Sequence, residues 1–217
     1  MGIKVLLVED QKIVREGLRF FLENQPGIDV VAEADNGQAA LQLTGELHPD
    51  VALMDLNMPV LNGIDTTRKI CSEYPETRVL ILSMHSEKQF LLEALRAGAK
   101  GYILKSSISA RELVQAIKKI AVGENYFSPF VIESILSDYI KDNAEKPPYR
   151  FSLISPRERE ILQLIAEGRN TKEIAYSLKV SPKTIDSHRQ NIMKKLKLCS
   201  VAELTKFAIR EGLTSFE

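Results

Sequence analysis

Five residues of this 217-residue sequence carry side chains that could do chemistry together: Glu9, Asp10, Asp55, Ser83 and Lys105. Each follows or closes a short apolar run. Ile3 to Val8 leads into Glu9-Asp10, Val51 to Met54 into Asp55, Val79 to Leu82 into Ser83, and Tyr102 to Leu104 into Lys105. Three carboxylates converging on one crevice repel, so they must share a proton or a cation. An all-oxygen cluster with room for water suits Mg²⁺, which favours few carboxylates together with waters and phosphate oxygens. One carboxylate is then free to attack phosphorus, with Lys105 and the metal stabilising the equatorial oxygens of an in-line transfer. A single Asp at a strand end is ordinarily a cap or turn former. It is the joint occurrence of an acidic pair, an Asp, a hydroxyl and a Lys at four different run ends that points to a site.

The elements that would position these groups are legible as a repeat. Over residues 1–122, five short apolar runs, the four above and Ile28 to Ala34, alternate with amphipathic stretches. Each run is too short for a helix, and the alternation is that of βα units building a parallel sheet. In such sheets ligands collect at the carboxyl ends of the strands. The intervening stretches have helical spacing: Val14, Leu18, Phe21 and Leu22 in one, Leu91, Leu92 and Leu95 in another, Leu113, Ala116, Ile117 and Ile120 in a third. Ser86 with Gln89 and Ser109 with Glu112 have capping-box spacing, and Gly98 and Gly123 suit helix ends.

The motifs around these residues, Val8-Glu9-Asp10, Met54-Asp55-Leu-Asn-Met-Pro59 with Gly63, Ser83, and Gly101-Tyr-Ile-Leu-Lys105, resemble a response-regulator receiver domain over residues 3–122. The resemblance implies that Asp55 accepts a phosphoryl group from a sensor histidine kinase. It also implies that Glu9, Asp10, Asp55 and the backbone carbonyl of Asn57 hold Mg²⁺, that Ser83 and Lys105 bind the phosphoryl oxygens, and that Tyr102 is an aromatic switch residue. Two positions depart from the family's usual pattern: Ser83 stands where Thr is frequent, and Ser106 where Pro often follows the Lys. Without that Pro a cis peptide is not expected, since a non-proline cis bond costs about 2.5 to 4 kcal/mol.

The zero formal charge hides an asymmetry. Residues 1–147 hold 16 Lys+Arg against 21 Asp+Glu, net −5, whereas residues 148–217 hold 13 against 8, net +5. A basic module following an acidic one points to a polyanionic partner. Between them, residues 123–150 read as a linker: an apolar-periodic segment from Val131 to Ile140 suits a short helix, and the charged stretch ending in Pro147-Pro148 cannot continue one. Residues 151–217 read as four helices, opened by Ser155-Pro156 with Glu158, Asn170 with Glu173, Ser181-Pro182, and Ser200 with Glu203, with a tight turn at Gly168.

In the third of these helices Ile185, Ile192 and Leu196 define a buried stripe, with Lys183, Ser187, Gln190, Asn191 and Lys194 on the opposite face. A solvated bundle would also show a polar face, but amides, hydroxyls and basic groups interleaved on one side suit bases and phosphates. The runs Leu153-Ile-Ser-Pro-Arg-Glu-Arg-Glu-Ile-Leu162, Asn170-Thr-Lys-Glu-Ile-Ala175 and Val180-Ser-Pro-Lys-Thr-Ile-Asp-Ser-His-Arg-Gln-Asn-Ile-Met-Lys-Lys-Leu196 resemble the LuxR-type helix-turn-helix over residues 151–213. By position, Asp186, Ser187 and Gln190 resemble groove-facing residues, and Lys183, Thr184, Arg189, Lys194 and Lys195 resemble phosphate contacts. Asp186 could accept from a cytosine amino group or cap the helix N-terminus, and repulsion from phosphate favours the cap.

Together the two resemblances imply a NarL/FixJ-class response regulator of a bacterial two-component system. The expected architecture is an α/β receiver, a doubly wound five-stranded parallel sheet of order 2-1-3-4-5, followed by an all-α tetrahelical helix-turn-helix domain. The implied partners are double-stranded promoter DNA, a sensor histidine kinase, RNA polymerase and a second copy of the chain. Val201, Leu204, Phe207 and Ala208 form an apolar stripe that is either a dimer face or core. A phosphohydrolase would need a second acid just after Asp55, where Leu, Asn and Met stand, and a receiver acting through protein contacts alone leaves the basic module unexplained. No run has the roughly 18 apolar residues a membrane span requires, and a cytoplasmic protein is expected. Cys71 and Cys199 stand alone, and His48, His85 and His188 are scattered, so neither a disulfide framework nor zinc spacing is present. His188, lone on a helix boundary, reads as a packing or phosphate-contacting residue.

Overall fold

The computed structural model describes residues 2–128, 131–132, 153–211 and 213–214, and the chain divides into two compact units. The expected linker helix over residues 131–140 lies, beyond its first two residues, outside the described ones.

The N-terminal unit alternates β1 (Ile3–Val8), α1 (Lys12–Glu23), β2 (Ile28–Ala34), α2 (Gly37–Leu47), β3 (Val51–Met54), α3 (Gly63–Glu73), β4 (Arg78–Ser83), α4 (Lys88–Ala97), β5 (Gly101–Leu104), α5 (Ala110–Ala121) and β6 (Tyr126–Phe127). The strands form one parallel sheet of order β2-β1-β3-β4-β5-β6. Burial on both faces explains why the runs are continuously apolar. Val5, Leu7, Leu53, Leu80, Leu82 and Ile103 share a core with Leu22 of α1 and Leu113, Ala116, Ile117 and Ile120 of α5. Their neighbours Leu6, Val8, Met54 and Ile81 point to the other face and are equally buried.

Two expectations need correction here. The sheet has six strands rather than five, because Tyr126 and Phe127 pair with Gly101 and Tyr102 inside the stretch read as linker. Two residues are too few to show any period. Gly101 permits this close pairing, since a Cβ there would lie 2.6 Å from the Tyr126 carbonyl oxygen. The Ser86–Gln89 box does not form: α4 starts a residue later, with Glu87 at the N-cap and no side-chain cap. The capping box of Ser109 with Glu112 is present, and Gly98 ends α4 in the left-handed region at φ 104°.

The C-terminal unit contains α6 (Pro156–Ala166), α7 (Thr171–Ser177), α8 (Pro182–Leu196) and α9 (Val201–Arg210). Ser155 and Asn170 close reciprocal capping boxes with Glu158 and Glu173, and the Ser181 hydroxyl accepts from the Thr184 N–H. Between α7 and α8 the chain turns through Lys179 at φ 53°, with the Val180 N–H donating to the Ala175 carbonyl. Ile161, Leu162, Ile174, Ile185, Ile192 and Leu196 pack into one core. Leu204, Phe207 and Ala208 belong to it, so of the stripe on α9 only Val201 is exposed; the core reading holds and the dimer reading of that stripe falls. No described helix is long and apolar enough to cross a membrane.

Candidate functional site

Sheet order brings the five chemical residues together. β1 lies beside β3 with Val8 opposite Met54, so Glu9-Asp10 and Asp55 leave neighbouring strands at the same level. β4 and β5 pair with Ser83 opposite Leu104, so the Ser83 hydroxyl and Lys105 emerge on the other side of Asp55. The loop after β3 folds back tightly: the Gly63 N–H donates to the Leu56 carbonyl, and a Cβ on Gly63 would come within 2.0 Å of the Asp55 carbonyl oxygen. No other residue fits there without moving the Asp55 backbone.

Glu9, Asp10 and Asp55 offer carboxylate oxygens within 4.8 Å of one another. The Lys105 ammonium lies 2.7 Å from Glu9 Oε2 and 3.1 Å from Asp55 Oδ1. Burial raises the pKa of Asp55, and Lys105 only partly offsets it. Burial and then the Asp55 charge raise that of Glu9, and burial raises that of Asp10. Lys105 is held above its ordinary value: burial opposes its charge, but Asp55 and Glu9 outweigh burial. One buried oxygen in the cluster, Asp10 Oδ1, has no hydrogen-bond partner. Three acids with a single ammonium and an unsatisfied buried acceptor make an all-oxygen donor set that suits a hard divalent cation.

In the C-terminal unit Lys183, Ser187, Gln190, Asn191 and Lys194 are exposed along α8, while Ile185, Ile192 and Leu196 are buried. A helix with one apolar face anchored and amide, hydroxyl and ammonium groups exposed on the other, the Ser187 hydroxyl donating to the Lys183 carbonyl at 3.0 Å, can enter a nucleic-acid groove.

Known proteins combine both features. Residues 5–118 match the response regulator receiver domain, and residues 152–208 match the bacterial regulatory proteins of the luxR family. The oxygen regulatory protein NreC of Staphylococcus aureus is 39% identical over 218 residues, 99% of this chain and all of that one. The chain belongs to the LuxR-type response regulators. Among solved structures, the RcsB response regulator of Salmonella typhimurium matches at 27% identity and a TM-score of 0.60, covering 95% of this chain and 97% of that one. A structure of two RcsB dimers bound to two parallel DNAs matches at 26% identity and a TM-score of 0.59, covering 99% of this chain and 100% of that one. This response regulator is therefore a DNA-binding regulator of transcription, with a receiver and a LuxR-type helix-turn-helix domain.

Within this regulator, Tyr102 is buried and its hydroxyl donates to the His85 carbonyl at 2.8 Å; burial raises its pKa. Ser83 is fully buried, its Oγ accepting from the His85 N–H at 3.0 Å. The Asn57 side chain is engaged as well, Oδ1 lying 3.1 Å from His85 Nε2. His85 thus touches three of the expected site residues, and its ring stacks on Phe90 with centroids 4.1 Å apart. Sequence reading passed over it, although its place two residues after Ser83 was a usable signal.

On α8, Asp186 does not cap the helix. Ser181 does, and Asp186 forms an ion pair with Arg189 at 3.0 Å, one turn on. Thr184 is half-buried with its hydroxyl 2.8 Å from Ser181 Oγ. Lys195 is held by the buried Glu158 of α6, its Nζ 2.6 and 2.8 Å from the two carboxylate oxygens. Glu158 closes the α6 capping box at the same time, a double duty that no local spacing displays.

Proposed function

We propose that Asp55 is the phosphoacceptor, charged by a sensor histidine kinase, and that its modification governs the binding of α8 to double-stranded promoter DNA. The observation that carries this reading is the place of β3 in the sheet. Asp55 has the acidic pair of β1 on one side and Ser83 and Lys105 of β4 and β5 on the other. An Asp55 oxygen attacks phosphorus as the P–N bond of a phosphohistidine breaks, the electron pair leaving with the imidazole nitrogen, which takes a proton. Lys105, already within reach of Asp55, meets the charge on the phosphoryl oxygens. The Ser83 hydroxyl, which accepts from the His85 N–H, turns its own proton to one of them, and Tyr102, bound to the His85 carbonyl, responds to that change.

Glu9, Asp10, Asp55 and the Asn57 carbonyl are the groups that would hold Mg²⁺. Bound there, the ion supplies neutralisation of the clustered carboxylates and of the phosphoryl oxygens. On DNA, Ser187 and Gln190 face the bases, with Asp186 oriented by Arg189, and Lys183, Thr184, Arg189 and Lys194 lie toward phosphate, whereas Lys195, read with them from the sequence, is engaged by Glu158. The protein acts in the cytoplasm as a homodimer on paired half-sites and acts on RNA polymerase from there; the RcsB dimers on DNA support the dimeric reading. Labelled phosphoryl transfer tests the core of this reading. The native chain incorporates phosphate with Mg²⁺ present, and Asp55→Asn or excess EDTA abolishes incorporation; labelling that survives either treatment rejects Asp55 or the metal.

A further inference from the structure

Arg15 lies one turn into α1 and takes no part in the chemistry described above, yet it is bound to the backbone that carries two of its carboxylates. Its Nη1 donates to the Glu9 carbonyl at 2.6 Å and is 3.3 Å from the Asp10 carbonyl. Its Nε lies 3.4 Å from Glu33 Oε2 on β2, and its side chain is only 16% exposed. The Gln11 N-cap of α1 offers no side-chain hydrogen bond, so the turn between β1 and α1 lacks the local cap that fixes other loops of this chain. The Gln11 N–H reaches Glu9 Oε1, at a long 3.3 Å, and fixes a side chain rather than the peptide planes. Arg15, a planar charged donor braced by a second strand, holds those planes instead.

We infer that Arg15 is a positioning residue for the cation site: it fixes the peptide planes at Glu9 and Asp10, so that both carboxylates face Asp55 before any metal arrives. It touches neither the phosphoryl group nor the carboxylates. Groups that orient metal ligands from outside the coordination shell typically alter affinity by roughly 10- to 100-fold when removed, and Arg15 acts in that way through the main chain. Arg19, which binds the same Glu33 and also Glu23 at 2.7 Å, makes no contact with the Glu9-Asp10 backbone and serves as the internal control.

The inference rests on the cation reading of this pocket, and calorimetric titration of the full, unphosphorylated chain with Mg²⁺ separates the two. If the native chain binds no Mg²⁺, the cation reading itself fails, and this inference with it. If it binds, Arg15→Met, which keeps the apolar stem and loses every donor, is expected to weaken Mg²⁺ affinity by about tenfold. Arg19→Met should stay within about twofold of native by the same reckoning. Arg15→Lys, with a single point donor, should fall between Met and native, and it carries the test should Arg15→Met fail to fold. With acetyl phosphate as donor, the rate at saturating Mg²⁺ should be nearly native in Arg15→Met while the Mg²⁺ concentration for half-maximal rate rises. Native-like affinity in the Arg15 variants, an equal loss in Arg19→Met, or a lower rate at saturating Mg²⁺ with affinity unchanged would each overturn it.

Discussion

Asp55 is the residue whose surroundings suit chemistry at the expense of stability. It is buried, adjoins two other acids and shares one ammonium with Glu9, so its charged form is disfavoured relative to water. Its pKa is raised on folding, so the folded state binds the proton more readily than the unfolded chain does. The stability linked to protonation is present below the unfolded value and is lost as pH rises through the folded one. At neutral pH without metal, Asp55→Asn should therefore raise the melting temperature of the receiver transition by about 3 to 5 °C, the shift that ~1 kcal/mol produces at this size. The gap should close as pH is lowered toward the ordinary carboxylate range, where the native side chain is neutral too. Mg²⁺ should stabilise the native chain more than the variant. Calorimetric melts at two pH values, with EDTA or Mg²⁺, check each sign. A variant that melts below the native chain in EDTA at pH 7 would mean that the ion pair with Lys105 outweighs the repulsion.

At the scale of elements, α8 divides its basic residues between two tasks. Lys194 is exposed and leaves the helix toward solvent, whereas Lys195 joins Glu158 of α6. Burial alone would raise the Glu158 pKa, but the Lys195 ammonium and the Ser155 donors outweigh it and hold the carboxyl below its usual range. Lys194→Ala should weaken binding to all DNA sequences alike and lower the slope of log affinity against log salt by about one unit, with little change in melting. Lys195→Ala should destabilise the domain by about 1 to 2 kcal/mol, short of the fully buried case because Lys195 is itself partly exposed. Gln190→Ala should instead relax discrimination between sites by about 1 to 3 kcal/mol. Equal losses on specific and random DNA would remove Gln190 from the groove. These contrasts also mark where sequence stops. The strand ends, Asp55, Lys105 and the buried stripe of α8 were legible because period and punctuation are local properties. The two-residue β6, the Asp186–Arg189 pair, His85 beside Asn57, Arg15 on the Glu9 carbonyl and Lys195 on Glu158 were not. Each depends on which loop, strand or turn of helix comes to lie beside it, and none leaves a period in the chain.

For the whole molecule, charge divides as −5 over residues 1–147 and +5 over residues 148–217, with the 123–150 linker spanning that boundary, and this bears on regulation. Opposite charges on a tether attract, and an effective concentration set by a linker of that length makes intramolecular contact competitive with DNA at low salt. The expected consequence is that the receiver of the unmodified chain obstructs the DNA-reading helix and that phosphorylation relieves the obstruction. Phosphorylation makes the receiver more acidic, so relief cannot come from net charge. It must come from the active conformation, through new contacts of the phosphoryl group with Ser83 and Lys105 and a rearrangement around the already buried Tyr102. Driving the population from about 1:99 to 99:1 takes roughly 5.5 kcal/mol of preference for that conformation, within reach of several charge-assisted contacts. Operator affinity is to be compared for the unmodified full chain, the beryllofluoride-treated full chain and isolated residues 148–217. Obstruction requires the isolated domain to bind more tightly than the unmodified chain, with the difference shrinking as salt screens the attraction. If the isolated domain binds no better while beryllofluoride still raises affinity, activation works through dimerisation alone. With the α9 stripe largely committed to the domain core, the dimer contact would then have to be sought elsewhere.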